Sequence, residues 1–295
     1  MQAPQPHLSD PRLHGYEQDL AGIDALEVPL DPALSWGARV WRATWPKLAA
    51  GGLLISLWQL VVWLELRPSY ALPGPAAAFG RLLDDLRDGV LLTATGITMR
   101  RAVAGYAIAI VIGVLLGLAV ARIRLLRTAV GSLITGLQTM PSIVWFPLAV
   151  LLFQLSERAI LFVIVLGAAP AIANGLIHGV DHIPPLLLRA GRVLGARGIA
   201  AYRHIVLPAA LPAFVGGMKQ GWAFAWRSLM AGELLLIIAS RPSLGARLQF
   251  ARELSDAAGL LAAMLTVLLI GILVDGLVFG RLERCIRTRW GLTGP

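Results

Sequence analysis

Apolar positions in this chain come in long unbroken runs, not in the period-two alternation of strands. Residues 48–64, 102–121, 159–180 and 257–274 carry no acidic or basic side chain apart from one histidine. A helix needs about 20 apolar residues to cross a bilayer core, so each run is read as a span, the first being the shortest. Residues 128–156 form a longer run interrupted by Pro141 and Pro147, and residues 211–239 form another that contains Lys219, Arg227 and Glu233. The pattern therefore predicts an all-α polytopic membrane protein with about six transmembrane helices.

Two segments between the runs have a pattern of their own. After the first span, "LPGPAAAFGRLLDDLRDG" opens on a Pro-Gly-Pro turn and places Phe79, Leu82, Leu83 and Leu86 at helical spacing. It is expected as a short amphipathic helix on the outer membrane face. The second is "AGRVLGARGIAAYRHIVLPAALP", from Ala190 to Pro212. Pro184-Pro185 ends the preceding span, and Leu186, Leu187, Ala190, Val193 and Leu194 then recur with helical period. Gly195 and Gly198 permit a sharp bend. Residues 199–206 make two further turns before Pro208 opens the next helix at a position proline tolerates. The pattern is a helix, a bend and a short helix, either lying as a solvated interfacial loop or presented for a partner to grip.

Composition sharpens this picture. The chain has 295 residues, 57% of them hydrophobic, and a mean hydropathy of +0.72. Its formal net charge is +9, but the arginines sit in short clusters beside apolar runs. That is the positive-inside arrangement, and it does not call for a nucleic-acid partner. Arg39, Arg42 and Lys47, then Arg122, Arg124 and Arg127, then Arg189, Arg192, Arg197 and Arg203, then Arg281, Arg284, Arg287 and Arg289 fall on one side of a six-span topology. On the other side Arg81 and Arg87 are offset by Asp84, Asp85 and Asp88, with Arg100 and Arg101 counted in the same outer loop. Both termini are thus expected in the cytoplasm. Trp36, Trp41 and Trp45 are expected as an interfacial anchor within residues 36–66. Residues 1–35, rich in Pro, Asp and His, are expected as a loose tail, and residues 285–295 as a second cytoplasmic tail around the single cysteine, Cys285.

The connector also carries a resemblance. It reads Arg189-Ala190-Gly191, then Gly195, then Ile205-Val206-Leu207-Pro208. This is similar to the E-A-A-x-x-x-G, nine residues, I-x-L-P signature of importer permeases of the ATP-binding-cassette class, with Arg for Glu at 189 and Gly for Ala at 191. "ALPGPAAAFGRLL", "GLQTMPSIVWFPLAVLLF" and "AWRSLMAGELL" resemble the nitrate/sulfonate/taurine branch of that family. The resemblance covers roughly residues 71–284. It implies a type I importer permease fold over residues 90–284, with residues 182–208 as the loop that couples to a cytoplasmic ATPase subunit. Arg189, Ala190, Gly191, Leu194, Gly195, Ala196, Gly198, Ile205, Leu207 and Pro208 would form that loop's contact and bend. Further implied are a permease homodimer in the inner membrane and an external solute-binding protein. No cofactor is expected in this chain, since ATP and Mg²⁺ belong to the partner ATPase.

Ionisable and polar groups within the spans are pathway candidates, because each is costly in lipid unless it faces protein or water. Arg227 has the planar fork that pairs with sulfonate, nitrate or carboxylate, or it serves a structural pair or dimer contact. Lys219 lies nearer the inner side. Glu233 caps or lines an outer gate, or makes a structural hydrogen bond. Gln138 precedes Met140-Pro141, where a broken helix lines a pathway or simply packs. Asn174 and His178 read as interhelical hydrogen bonds. "HGVDH" sets His178, Asp181 and His182 near a metalloprotease-like spacing but offers no third ligand, so no metal site is expected. The only lysines, Lys47 and Lys219, follow no phosphate-binding glycine loop, so the chain is not expected to be its own ATPase. Two rival classes remain at this point. One is an ion-coupled secondary transporter using Asp275, Glu233 or Arg227. The other is an intramembrane metalloenzyme using His178 and His182.

Overall fold

The computed structural model describes residues 36–238 and 241–289, and all regular structure among them is helical. The expected tail 1–35 and the end of the chain from residue 290 lie outside the described residues. The described residues fall into two compact units, divided between Leu60 and Val61. The first contains most of α1 (Trp36–Trp63), of which Thr44–Trp63 is long and apolar enough to cross a membrane. Trp41 and Trp45 on this helix are exposed.

The second unit holds α2 (Pro75–Arg87), α3 (Val90–Arg122), α4 (Arg124–Thr139), α5 (Phe146–Phe153), α6 (Glu157–Asp181) and α7 (Pro185–Val193). It continues with α8 (Ile199–Leu235), α9 (Leu244–Glu253) and α10 (Ala257–Arg289). Of these, α3, α6, α8 and α10 are unbroken helices long enough to span.

α6 is the central element, packed along its length against α3 on one flank and α8 on the other. Small residues set this closeness. On α3, Gly105, Ala109, Gly113 and Gly117 recur every four residues, and that stripe meets Ile164, Ala169, Ile172 and Ala173 of α6. Between helices in lipid there is no hydrophobic drive beyond packing, so close backbone approach is the main source of adhesion. The tightest crossing pairs Gly175 of α6 with Gly217 of α8. A Cβ on Gly217 would stand 2.6 Å from Gly175 Cα and 3.2 Å from the Ala171 carbonyl oxygen. Gly217→Val is therefore expected to destabilise the bundle by about 1–3 kcal/mol through overpacking. The adjacent Gly216 has nothing within 4 Å of such a Cβ, so Gly216→Ala should leave the melting midpoint in detergent unchanged. Equal midpoints for the two variants would contradict the crossing.

Several sequence expectations are corrected by these helices. The run 128–156 is not one continuous helix: residues 125–139 and 142–153 are bent by 103° at the break. Pro141 is the cause, because it drives Met140 into extended backbone (φ −74°, ψ 127°), as proline does to the residue before it. Pro147 breaks nothing, because it falls in the first turn of α5, where its missing N–H is not needed. Among the described residues five unbroken helices are long and apolar enough to cross a membrane, and the bent pair makes six if it counts as one span. α3 begins at Val90 rather than near residue 102, which takes Arg100 and Arg101 out of the loop and into the helix.

Pro208 stands in the first turn of the α-helical stretch Leu207–Leu235, as the sequence predicts, but that stretch is continuous with the turns before it. α8 runs through Pro208 by way of a π turn at Tyr202–Val206, in which the Leu207 N–H reaches the Tyr202 carbonyl five residues back. Widening one turn accommodates the donor that Pro208 lacks. A second π turn, Asp275–Phe279, joins the apolar part of α10 to its basic end, so the last span continues as helix to Arg289 instead of stopping at Asp275. The short helix after the first span is present as α2. It turns Ala78, Leu82 and Asp85 inward and leaves Leu83 and Leu86 exposed.

Candidate functional site

Two regions gather the candidate residues. The first is a cavity of about 370 Å³ at the break between α4 and α5, closed by α8. Gln138, Pro141, Trp145, Phe224 and Arg227 line it. Pro141 creates the break, and the one-turn pitch of α8 puts Phe224 and Arg227 on the same side. The Arg227 guanidinium lies 4.7 Å from the centroid of the Phe224 ring, within cation–π range. Its Nε donates to the Ala223 carbonyl at 3.2 Å. Among the described residues no carboxylate pairs with Arg227, which is exposed to the cavity. Gln138 is partly committed, since its Nε2 donates to the Pro170 carbonyl of α6 at 3.4 Å.

The other two pathway candidates lie elsewhere. Lys219 Nζ is 3.2 Å from Asp275 and 3.5 Å from Glu283, so it ties α8 to the π turn and basic end of α10. Glu233 is fully buried. Its Oε1 accepts from Arg101 Nη1 at 2.9 Å, and its Oε2 accepts from Thr98 Oγ1 at 2.9 Å and from the Gly245 N–H at 3.1 Å. Thr98 Oγ1 in turn accepts the Leu244 N–H at 3.0 Å. Arg101 continues to Glu157 at the start of α6, and Glu157 Oε1 also receives Arg241 Nη1 at 2.8 Å. One connected polar network thus fastens α3, α6, α8 and α9 at the end of the bundle remote from the connector. Sequence reasoning missed Thr98, Arg101 and Glu157 here. The signal available was a Glu inside an apolar helix, which implies a buried cation on another helix.

The connector is the second region. α7 ends in a pair of backbone bonds, Ala196 N–H to the Gly191 carbonyl at 2.9 Å and Gly195 N–H to the Arg192 carbonyl at 3.1 Å. This is the Schellman arrangement, with Gly195 in the left-handed region at φ 84° and Gly198 following at φ 53°. The bend folds the π turn of α8 back onto α7, and the side chain of Ile205 lies directly over Gly191, where a Cβ would collide with it. Glycine at 191 is therefore what lets the two arms touch. Between them is a cavity of about 690 Å³ lined by Leu187, Ala190, Leu194, His204 and Ile205 among others. Ala190 and Leu194 share its face, four residues apart. Val193 and Leu194 are 88% and 86% exposed, and Arg189, Arg192 and Arg197 are exposed beside them, while Ala196 lies in the bend and Leu207 and Pro208 directly follow the π turn within α8. An apolar tip of this size ringed with charge has the anatomy of a protein contact surface.

Apart from Arg227, the groups behind the rival classes are committed to other contacts. Asp275 is paired with Lys219 and Glu233 with Arg101. Asp181 pairs with Arg127, the His178 and His182 rings stack at 5.6 Å, and His182 Nδ1 faces the His178 carbonyl.

The bundle thus has helices long and apolar enough to span a membrane, a helix broken beside an open cavity, and an exposed loop with an apolar tip. Residues 109–284 match the model of the family described as binding-protein-dependent transport system inner membrane component. The chain is 31% identical over 252 residues to the riboflavin transport system permease of Chloroflexus aurantiacus, covering 84% of this chain and 92% of that protein. It is 29% identical over 233 residues to a putative ABC transporter permease of Methanocaldococcus jannaschii, covering 78% and 86%. With the taurine transport system permease of Escherichia coli it shares 25% over 247 residues, covering 82% and 89%. The chain belongs to the binding-protein-dependent transport system inner membrane component family, in its nitrate/sulfonate/taurine branch. It is an ABC transporter permease, a multi-pass membrane component of a binding-protein-dependent transport system, and its relatives are transporter components. The family implies ATPase and solute-binding-protein partners.

Proposed function

We propose that this permease forms the translocation pathway for a small anionic solute of the sulfonate, taurine or nitrate type. The observation that carries the reading is Arg227: a guanidinium with no carboxylate partner among the described residues, held against Phe224 in a cavity at a helix break. The subunit works as a homodimer, with its termini and connector in the cytoplasm. ATP binding and hydrolysis belong to the partner ATPases, and an external binding protein delivers the solute. The ring of Arg189, Arg192 and Arg197 around the connector supports its cytoplasmic placement by the positive-inside rule.

Arg227→Gln is expected to cut anion uptake by reconstituted transporter roughly ten- to hundredfold, matching the about 1.5–3 kcal/mol of a charged hydrogen bond. Arg227→Lys should rescue poorly, because an ammonium lacks the planar fork. Assembled complex and basal ATP hydrolysis should stay at wild-type levels. A well-assembled Arg227→Gln transporter with full uptake would remove the substrate contact.

A second reading has its own observation. Trp145 and Phe224 both line the cavity, and the riboflavin permease is a relative at 31% identity. A planar ring system could stack there. Uptake of a flavin that survives Arg227→Gln but falls with Phe224→Leu would favour it.

A further inference from the structure

A groove of about 520 Å³ opens on the side of the bundle, near its connector end. Its volume falls within the roughly 300–1,000 Å³ of small-ligand pockets. Its wall is apolar: Val114 and Leu118 of α3, Leu176 of α6, and Leu211 and Phe214 of α8. Its rim is basic, with Arg203 on the π turn of α8 and Arg289 at the end of α10. Neither arginine makes an ion pair or hydrogen bond among the described residues, and both are exposed. Arg122 stands one turn beyond Leu118 and lies 5.5 Å over the ring of Tyr202, the neighbour of Arg203. Apolar surface on the bilayer side and unpaired guanidiniums at the end of the span is the order of polarity within one lipid molecule.

We propose that this groove binds an anionic phospholipid, with an acyl chain along Leu118, Leu176 and Phe214 and the phosphate between Arg203 and Arg289. Charge complementarity at matched depth selects this occupant. Guanidiniums near a membrane surface recognise phosphate bidentately, and basic pockets between transmembrane helices suit anionic headgroups. The lipid belongs to the leaflet on the connector side. That this leaflet is the cytoplasmic one rests on the orientation proposed above, but binding itself does not, and vesicles with the same lipid in both leaflets separate the two. Because one rim arginine lies on the π turn that leads to the connector and the other on α10, a bound headgroup would tie together two elements that sit beside the loop.

Cys285 lines the groove and is the chain's single cysteine, so the unmodified protein carries its own reporter. The full-length permease is reconstituted into phosphatidylcholine vesicles with or without phosphatidylglycerol, and the rate of Cys285 modification by a neutral maleimide is measured. Phosphatidylglycerol is expected to slow modification. Arg203→Gln/Arg289→Gln should regain the phosphatidylcholine rate in the same vesicles, which a general surface-charge effect on the thiol would not allow. In native mass spectrometry, wild type should retain phosphatidylglycerol in preference to phosphatidylcholine. The double variant should lose that preference by roughly twenty-five-fold, about fivefold for each arginine. Equal modification rates in the two vesicles would overturn the proposal. So would protection by inorganic phosphate alone, which marks an anion site without a lipid, and so would protection in phosphatidylcholine that disappears on dilution, which marks a second copy of the chain over the groove.

Discussion

Glu233→Ala is expected to be the most destabilising single substitution at the end of the bundle remote from the connector, costing about 3–5 kcal/mol, the range for removing one partner of a buried ion pair. Glu233 is 0% exposed and Arg101 is 3% exposed. The carboxylate accepts three hydrogen bonds, from Arg101, Thr98 and the Gly245 backbone. Its loss leaves the Thr98 hydroxyl and the Gly245 N–H without their acceptor in a site closed to water, and leaves Arg101 with only Glu157. Orphaned buried donors cost about 1–3 kcal/mol each, so the pair and the backbone contact act in the same direction. Glu233→Gln keeps an acceptor oxygen and the shape but loses the charge, and should fall between wild type and Ala. Thr98→Val removes one spoke of the network and should also be intermediate. The order of melting midpoints in detergent checks this: wild type highest, then Gln and Val, then Ala. An Ala variant that melts with wild type would mean that the network is not closed to water.

That network also marks where the sequence stopped being readable. The spans were legible because lipid permits only helices of a minimum apolar length, and α6 and the apolar cores of α3 and α10 fall where the runs predict. The end of α7 was legible too, since Gly195 sits where a left-handed residue must terminate a helix before a bend. Helix starts were less so. A rule that begins a span at the last charge placed Arg101 in a loop, whereas α3 had already run for eleven residues before reaching it. The Arg101–Glu233 pair joins residues 132 positions apart. Helical periodicity relates only neighbours three or four residues away, so no local pattern could name the partner. The meeting of Gly175 with Gly217 was hidden for the same reason, as each is an ordinary small residue until two helices cross. Of the pathway candidates, the structure brings Gln138, Pro141 and Arg227 to one cavity. It sets Lys219 and Glu233 apart in pairs whose other halves lie on α10 and α3.

The largest effect on solute-stimulated ATP hydrolysis is expected at the connector. In Gly195→Pro the ring fixes φ near −65°, where the bend requires 84°, and it deletes the N–H that now reaches the Arg192 carbonyl. The end of α7 must then unwind, and Val193 and Leu194 lose their place at the exposed tip. Gly195→Ala keeps the N–H but holds a Cβ in the left-handed region at about 1–2 kcal/mol, so it should impair coupling without abolishing it. Ala190→Asp leaves the bend intact and instead sets a carboxylate on the face shared with Leu194, inside the cavity that Leu187 and Ile205 line. Any apolar group of a partner seated there would have to desolvate that charge. Both Gly195→Pro and Ala190→Asp are expected to insert in the membrane at wild-type levels, because the altered residues lie outside the packed seams of α3, α6 and α8. Both should lose solute-stimulated ATP hydrolysis by tenfold or more when reconstituted with the ATPase and the binding protein, since each 1.4 kcal/mol of lost docking is about a factor of ten. Ala190→Asp should also reduce the amount of ATPase that co-purifies. The graded series at 195, with Ala between Gly and Pro, ties the loss to backbone geometry and not to the mere presence of a new side chain. If the Gly195→Pro and Ala190→Asp complexes hydrolyse ATP with normal stimulation by solute-loaded binding protein, the connector is a solvated loop and the coupling contact lies on another surface.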